Sequence, residues 1–292
     1  MLPRVARAQG LGLALVLLLA GHPRPVSAAR APETVHFPSA DGTTTLVGYL
    51  FAPESSGAHP AIVLLHGRSG VYSSLARGAY NAGTLSKRHM AWSEFWQQRG
   101  YVALLVDSFG PRGYAGGFPR GSYSKRPAEV SEQSVRPLDA YGALAYLRQR
   151  SDVVPDRVGI QGWSNGAMTT LVTVSDTAPG ITRPSPATGF RAALALYPGC
   201  NMDRVKQRYL PYAPLLVLLA SADDEVSPAT CAKLAERTRA AGGPLELVMY
   251  EGAEHNFDDP GETKQSRDAN RRATEDARAR AERFFRAHLA SP

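Results

Sequence analysis

Cysteine is scarce in this chain: Cys200 and Cys231 are the only two in 292 residues. Their spacing matches no metal-binding motif, and two thiols are too few for a disulfide-framework fold. A membrane-length apolar run is also lacking. The Leu-rich, uncharged stretch from Gly10 to Gly21 has only twelve residues, too few to span a bilayer comfortably. There is no H-E-x-x-H, no Cys/His cluster, no Walker loop and no dinucleotide fingerprint, so nothing calls for a metal or a nucleotide cofactor. No internal repeat and no low-complexity linker interrupts the chain. What remains is the composition of a soluble globular protein, 43% hydrophobic and 20% charged, long enough to bury a substantial core.

The formal charge is +7, yet the first 28 residues contribute Arg4, Arg7 and Arg24 and no acid, so the rest carries +4 (7 − 3). These remaining basic residues are scattered, which reads as solubility and not as a nucleic-acid surface. The N-terminus has the pattern of a secretory signal. Arg4 and Arg7 precede the apolar Gly10–Gly21 segment, and Val26-Ser27-Ala28 offers a small-residue cleavage site. No cysteine follows that segment to take a lipid anchor. The expectation is an exported protein, secreted or periplasmic, with a signal peptide over 1–28 and one domain over 29–292. In an oxidising compartment Cys200 and Cys231 could bridge, since both follow strands that could be neighbours; the alternative is two separately buried thiols.

Strands alternate with helices along the chain. Thr34–Pro38 and Thr45–Phe51 read as a hairpin about Ser39-Ala40-Asp41-Gly42. Ala61–Leu65, Tyr101–Val106, Arg157–Gln161, Ala192–Tyr197 and Leu215–Ala220 are short apolar runs suited to strands buried on both faces, and Leu245–Tyr250 is a further strand. Helices are expected at His89–Arg99, from about Ser131 to Arg150, after Gly166, at Pro228–Ala241 and at about Asp268–Leu289. Ala273, Ala277, Phe284 and Phe285 form the inward face of the last helix. Residues 71–88 are long for a connection and are expected to border a pocket. The whole implies one doubly wound, mostly parallel sheet.

Gly162-Trp163-Ser164-Asn165-Gly166 organises the reading. A β-branched strand precedes it and a helix-capable segment follows, the context that a nucleophile elbow requires. Glycines at both ends let strand and helix approach while Ser164 takes a strained, exposed conformation. A serine needs a base oriented by an acid. After the strand ending at Ala220 stands Asp223-Asp224-Glu225; after the strand ending at Tyr250 stands Glu254-His255-Asn256-Phe257. All three groups fall beyond the carboxyl ends of strands, where working residues gather in open parallel sheets. The backbone N–H groups of Asn165 and of Arg68, the latter in the Gly-rich turn His66-Gly67-Arg68-Ser69-Gly70, are the candidate oxyanion donors. His66 itself reads as structural.

These pieces, together with Asp107-Ser108-Phe109-Gly110-Pro111-Arg112-Gly113, the Asp-x-x-x-Pro of Asp224 to Pro228, and Gly252-Ala253-Glu254-His255-Asn256-Phe257, resemble the dienelactone hydrolase family of α/β-hydrolases over roughly Thr34 to Leu289. The resemblance implies an α/β-hydrolase fold, a sheet of about eight strands flanked by helices, with Ser164 as nucleophile, His255 as base and Asp224 as orienting acid. Asp224 is preferred over Asp223 because Pro228 follows four residues later. One departure matters: the name-giving enzymes use cysteine where this chain has Ser164, so serine ester hydrolysis, not their lactone substrate, is the expectation. That chemistry needs no cofactor.

Arg112, Trp163 and Tyr72 are the candidate substrate contacts. Arg112, Arg68 and Lys87 or Arg88 could pair with a carboxylate on the substrate, or could be solvated loop cations. The partner expected is a small-molecule ester, handled by a monomer or homodimer without nucleic acid or a stable membrane anchor. Two other readings stand beside this one. A prolyl-oligopeptidase-like peptidase would share the order of the three residues but would want a long N-terminal propeller segment. A non-catalytic secreted binding protein on the same scaffold would have no use for all three.

Overall fold

The computed structural model describes residues 1, 3 and 31–289, so the signal read over 1–28 lies, apart from Met1 and Pro3, outside the described residues. Eight strands form one sheet: β1 (Glu33–Pro38), β2 (Thr45–Phe51), β3 (His59–Leu65), β4 (Val102–Asp107), β5 (Val153–Trp163), β6 (Ala192–Leu196), β7 (Leu215–Ala220) and β8 (Leu245–Tyr250). Their spatial order is β1-β2-β4-β3-β5-β6-β7-β8. β1 and β2 pair antiparallel, as do β2 and β4; every other neighbour is parallel. The apolar composition of the central runs is explained by this order. Residues 61–65 are wholly inaccessible to solvent because both faces of β3 are covered.

Side chains alternate between two cores. Ala61, Val63 and Leu65 face α2 (Arg136–Arg148), α3 (Asn165–Thr173) and α4 (Pro228–Ala240). Ile62 and Leu64 face α1 (Lys87–Gln97) and α6 (Asp268–Leu289), with the short α5 (Glu262–Gln265) leading into the latter. On α6, Ala273, Ala277, Ala281, Phe285 and Leu289 recur every four residues and are all buried. The alanines allow close approach, and Phe285 lies over Gly159, where a Cβ would come within 2.5 Å of its ring. Phe284, expected to point inward, is only half-buried, packing at the core's margin and edge-on to His288.

Boundaries moved where local chemistry overrode periodicity. α2 begins at Arg136 and not near Ser131: Ala128–Val130 form a 3₁₀ turn, and the Ser131 carbonyl also accepts the Arg136 N–H five residues on, a wider turn than an α-helix makes. Pro137 then fits the first turn, where its missing N–H costs nothing. Ser86 caps α1, and Gly100, at φ 81°, releases the chain beyond it as expected.

Cys200, just after β6, and Cys231, in α4, are joined by a disulfide. The two residues lie 31 apart in sequence. Closing a loop of that size is expected to stabilise the fold by about 3–4 kcal/mol. A Cys200→Ser, Cys231→Ser variant should therefore show a clearly lower urea midpoint than the oxidised protein. Adding reductant to the variant should change nothing further.

Candidate active site

The end of β5 and the start of α3 meet at Ser164, whose backbone sits at φ 51° and ψ −113°. A non-glycine residue holds such a conformation only where its surroundings over-determine it. Here they do. The Ser164 N–H donates to the Leu196 carbonyl of β6 at 3.0 Å, and its own carbonyl accepts the Met168 N–H of α3 at 2.9 Å. Two glycines make the turn possible by backbone contact. A Cβ on Gly166 would lie 1.9 Å from the Leu65 carbonyl oxygen of β3, and one on Gly162 would lie 2.2 Å from the Gly166 carbonyl oxygen. α3 is thereby pressed against the ends of β3 and β5, with its N-terminus directed at the serine.

His255 follows β8 and is almost wholly buried. Its Nε2 stands 3.0 Å from Ser164 Oγ, and its Nδ1 stands 2.7 Å from a carboxylate oxygen of Asp223. An ionised carboxylate only accepts, so Nδ1 carries the proton and Nε2 is free to accept from the serine hydroxyl. The carboxylate that faces the imidazole is thus Asp223 and not Asp224, where the expectation had placed it. The turn after β7 decides between them. Asp223 Oδ1 accepts the backbone N–H groups of Glu225 and Val226, which aims Oδ2 inward at the imidazole. Asp224 points outward, two-thirds exposed, and pairs with Arg120.

The turn after β3 lies against the serine: a Cβ on Gly67 would be 3.5 Å from Ser164 Cβ. Among the described residues no acceptor takes the backbone N–H of Arg68 or of Asn165, so both remain free for a developing oxyanion. The Asn165 side chain is not idle; it accepts from Arg126, whose guanidinium also binds Glu132. His66 is structural, as expected: Nδ1 donates to the Gly67 carbonyl and Nε2 accepts the Ser108 N–H. Burial, with Arg136 nearby, holds its pKa well below the ordinary histidine value. Beneath it the fully buried Arg136 donates to the His66 carbonyl at 2.7 Å, and burial brings that guanidinium down to about 10.

The substrate contacts fare differently. Arg112 is locked into a bidentate pair with Asp139 and a further pair with Asp41, and its side chain is 6% exposed. It secures the β4 loop to the β1–β2 turn and α2 and is not available to a ligand. Trp163 is inaccessible, its indole donating to Asp258. Tyr72 spends its hydroxyl on Tyr49, although its ring helps line a cavity of about 420 Å³ between residues 69–80 and 115–119. That cavity accords with the expectation that residues 71–88 border a pocket. Arg88 pairs with Asp258 and Asp259, while Lys87 is exposed at the start of α1.

Asp258 and Glu225 were not singled out from the sequence. Asp258, three residues after His255, accepts from the indoles of Trp92 in α1 (2.7 Å) and Trp163 in β5 (2.9 Å) and from the hydroxyl of Tyr197 just after β6. The Tyr197 ring in turn packs on the His255 imidazole at 4.7 Å between centroids. A signal existed: buried tryptophan and tyrosine need acceptors for their polar atoms, and an acid beside an apolar His-x-Phe is one. Glu225 binds Arg68 through two hydrogen bonds, and its Oε2 lies 4.0 Å from His255 Nε2. Among the described residues no three His, Cys, Asp or Glu side chains are grouped to hold a metal.

A serine, an imidazole and a carboxylate in one hydrogen-bonded line, borne on the strand–elbow–helix of this sheet order, define an α/β-hydrolase. The model of the dienelactone hydrolase family matches residues 46–289, more than half of the chain, and the chain belongs to that family. It is an ester-hydrolysing enzyme. Solved structures of similar fold include a Klebsiella pneumoniae chain assigned as a candidate dienelactone hydrolase, 16% identical with a TM-score of 0.63 over 87% of this chain and 98% of that one. Esterase 2 of Thermogutta terrifontis, phosphorylated by paraoxon, is 19% identical with a TM-score of 0.61 over 93% and 100%. A dienelactone hydrolase-like promiscuous phosphotriesterase, P91, from metagenomic libraries, is 18% identical with a TM-score of 0.60 over 87% and 99%. No helix among the described residues is long and apolar enough to cross a membrane.

The two acids make opposite predictions. Asp223→Asn is expected to lower kcat about 10³–10⁴-fold by leaving His255 in the wrong tautomer. Asp224→Asn should leave ester turnover within about twofold of wild type, as befits a solvated ion pair. A second test concerns acid. Burial lowers the pKa of His89, which packs on Trp163, to about 3. Unfolded, the same group titrates near 6.5, so its contribution to stability is whole above about pH 6.5 and is lost as pH falls toward about 3. Urea midpoints for wild type and His89→Gln at about pH 7 and about pH 4.5 should show the smaller acid-induced drop in the variant.

Proposed function

We propose that the chain is an exported serine hydrolase that cleaves carboxylic esters or lactones of small molecules through an acyl-enzyme on Ser164. The observation that carries this is the line from Asp223 through His255 to Ser164, 2.7 Å and 3.0 Å at its two hydrogen bonds. Ser164 Oγ attacks the ester carbonyl carbon as its proton passes to His255 Nε2. The carbonyl oxygen takes up negative charge against the N–H groups of Asn165 and Arg68. The carbon–oxygen bond to the alcohol then breaks, and Nε2 returns its proton to the leaving oxygen. Water repeats the sequence: Nε2 takes its proton, the hydroxyl attacks the acyl carbon, and Ser164 leaves reprotonated. Asp223 keeps Nδ1 protonated throughout and stabilises the imidazolium.

Two further things support the reading. The similar Thermogutta esterase 2 has been solved both phosphorylated by paraoxon and with propionate bound, which suits an activated nucleophile and a short acyl group for this chain as well. The basic, apolar and small-residue segments of residues 1–28 support export.

A fluorophosphonate probe tests the nucleophile. Peptide mass should locate the adduct on Ser164, and Ser164→Ala and His255→Ala should both lose it. No adduct on a folded wild-type protein, with no turnover of activated esters, would leave the elbow a structural relic and favour a binding role.

A further inference from the structure

Four arginines in the loops that follow β3 and β4 are each paired with a carboxylate. Arg112 is held by Asp139 and Asp41, Arg120 by Asp224, and Arg126 by Glu132. Arg68 is held by Glu225, with Nε and Nη2 at 3.1 Å and 3.3 Å from the two carboxylate oxygens, and its Nη1 donates to the Phe118 carbonyl. The Arg68–Glu225 pair stands apart in one respect. Glu225 Oε2 lies 4.0 Å from His255 Nε2, the nitrogen that faces Ser164 Oγ. Glu225 is also fixed: its N–H is bound by Asp223 Oδ1 in the same turn, and its side chain is 15% exposed.

Resting on the serine-hydrolase reading, we infer that Glu225 is a specificity-determining residue that reserves the site for neutral esters. A substrate whose carbonyl carbon is within bonding reach of Ser164 Oγ brings its leaving oxygen to Nε2, and groups close to the ester then meet Glu225. A carboxylate there faces a fixed negative charge. It also finds the cation beside Glu225, Arg68, already neutralised in a bidentate pair that it would have to break. A neutral acyl or alcohol group meets neither cost. Arg77, on the rim of the neighbouring cavity, is the cation to exclude as a competing carboxylate anchor.

The test compares kcat/KM for para-nitrophenyl butyrate and para-nitrophenyl hemisuccinate, which share a leaving group and differ in the charge of the acyl chain. Wild type should favour the butyrate. Glu225→Gln removes the like charge and frees Arg68, and should raise the hemisuccinate-to-butyrate ratio by about tenfold at low salt. Adding Arg68→Met to that variant should take most of the gain away. Because the readout is a ratio within each protein, a general loss of activity or folding does not mimic it. A wild type that prefers the hemisuccinate, a preference that Arg77→Ala abolishes, or a Glu225→Gln variant that alters both substrates equally overturns the inference while leaving the serine mechanism standing. A wild type that hydrolyses neither ester and takes no fluorophosphonate overturns that mechanism, and this inference with it.

Discussion

The structure depends on a backbone contact that admits no side chain. α3 runs so close to the ends of β3 and β5 that Gly166 touches the Leu65 and His66 carbonyls, and Gly162 touches Gly166. That approach forces Ser164 into its left-handed turn and directs the helix N-terminus at its hydroxyl side. It also sets the Gly67 turn beside Ser164, so the serine and the candidate oxyanion donors are fixed by the same contact. Strain at Ser164 is held by the sheet around it, since its N–H is committed to β6 and its carbonyl to α3.

Around this contact the protein arranges two polar systems by different means. On one side Asp258 gathers three donors from α1, β5 and the end of β6, all fully buried, so the loop bearing His255 is tied to the residue before Ser164 and to the ring packed against the imidazole. Hydrogen bonds to an ionised, buried acceptor are among the stronger ones, each worth about 1.5–3 kcal/mol. On the other side a layer of buried charges, Arg112 with Asp139 and Arg126 with Glu132, supports the loops below the elbow, with Arg136 bonded to the His66 carbonyl. Arg126 extends this layer to the Asn165 side chain. These ion pairs specify loop positions more than they stabilise, since desolvation offsets much of their attraction.

On the proposed mechanism, Ser164 depends on His255 for its activation, and His255 depends on a carboxylate buried in the turn after β7. That same turn supplies Glu225, so the carboxylate bonded to His255 Nδ1 and the one 4.0 Å from its Nε2 stand within three residues of chain.

Much of this was written in the sequence. Periodicity and apolar runs determined the strands and the order of elements, because burial on both faces of a parallel sheet demands uninterrupted apolar residues. The glycines about Ser164 determined the elbow, because only residues without Cβ fit there. Chain order determined that Ser164 would be followed by an acid and then His255. What it left undecided were questions of direction in space. Asp223 and Asp224 are adjacent and chemically alike, and only the hydrogen bonds of their turn decide which one faces the imidazole. Arg112 and Trp163 stand beside functional motifs, yet their side chains point into the fold, where Asp139 and Asp258 wait for them from distant segments. Glu225 acquires its meaning only from Arg68, 157 residues earlier, brought to it by the packing of β3 and β7 into one sheet. Composition and spacing fix which groups exist near the ends of strands; the tertiary structure alone decides which of them are already satisfied, and an ion pair already formed has no charge left to offer a substrate.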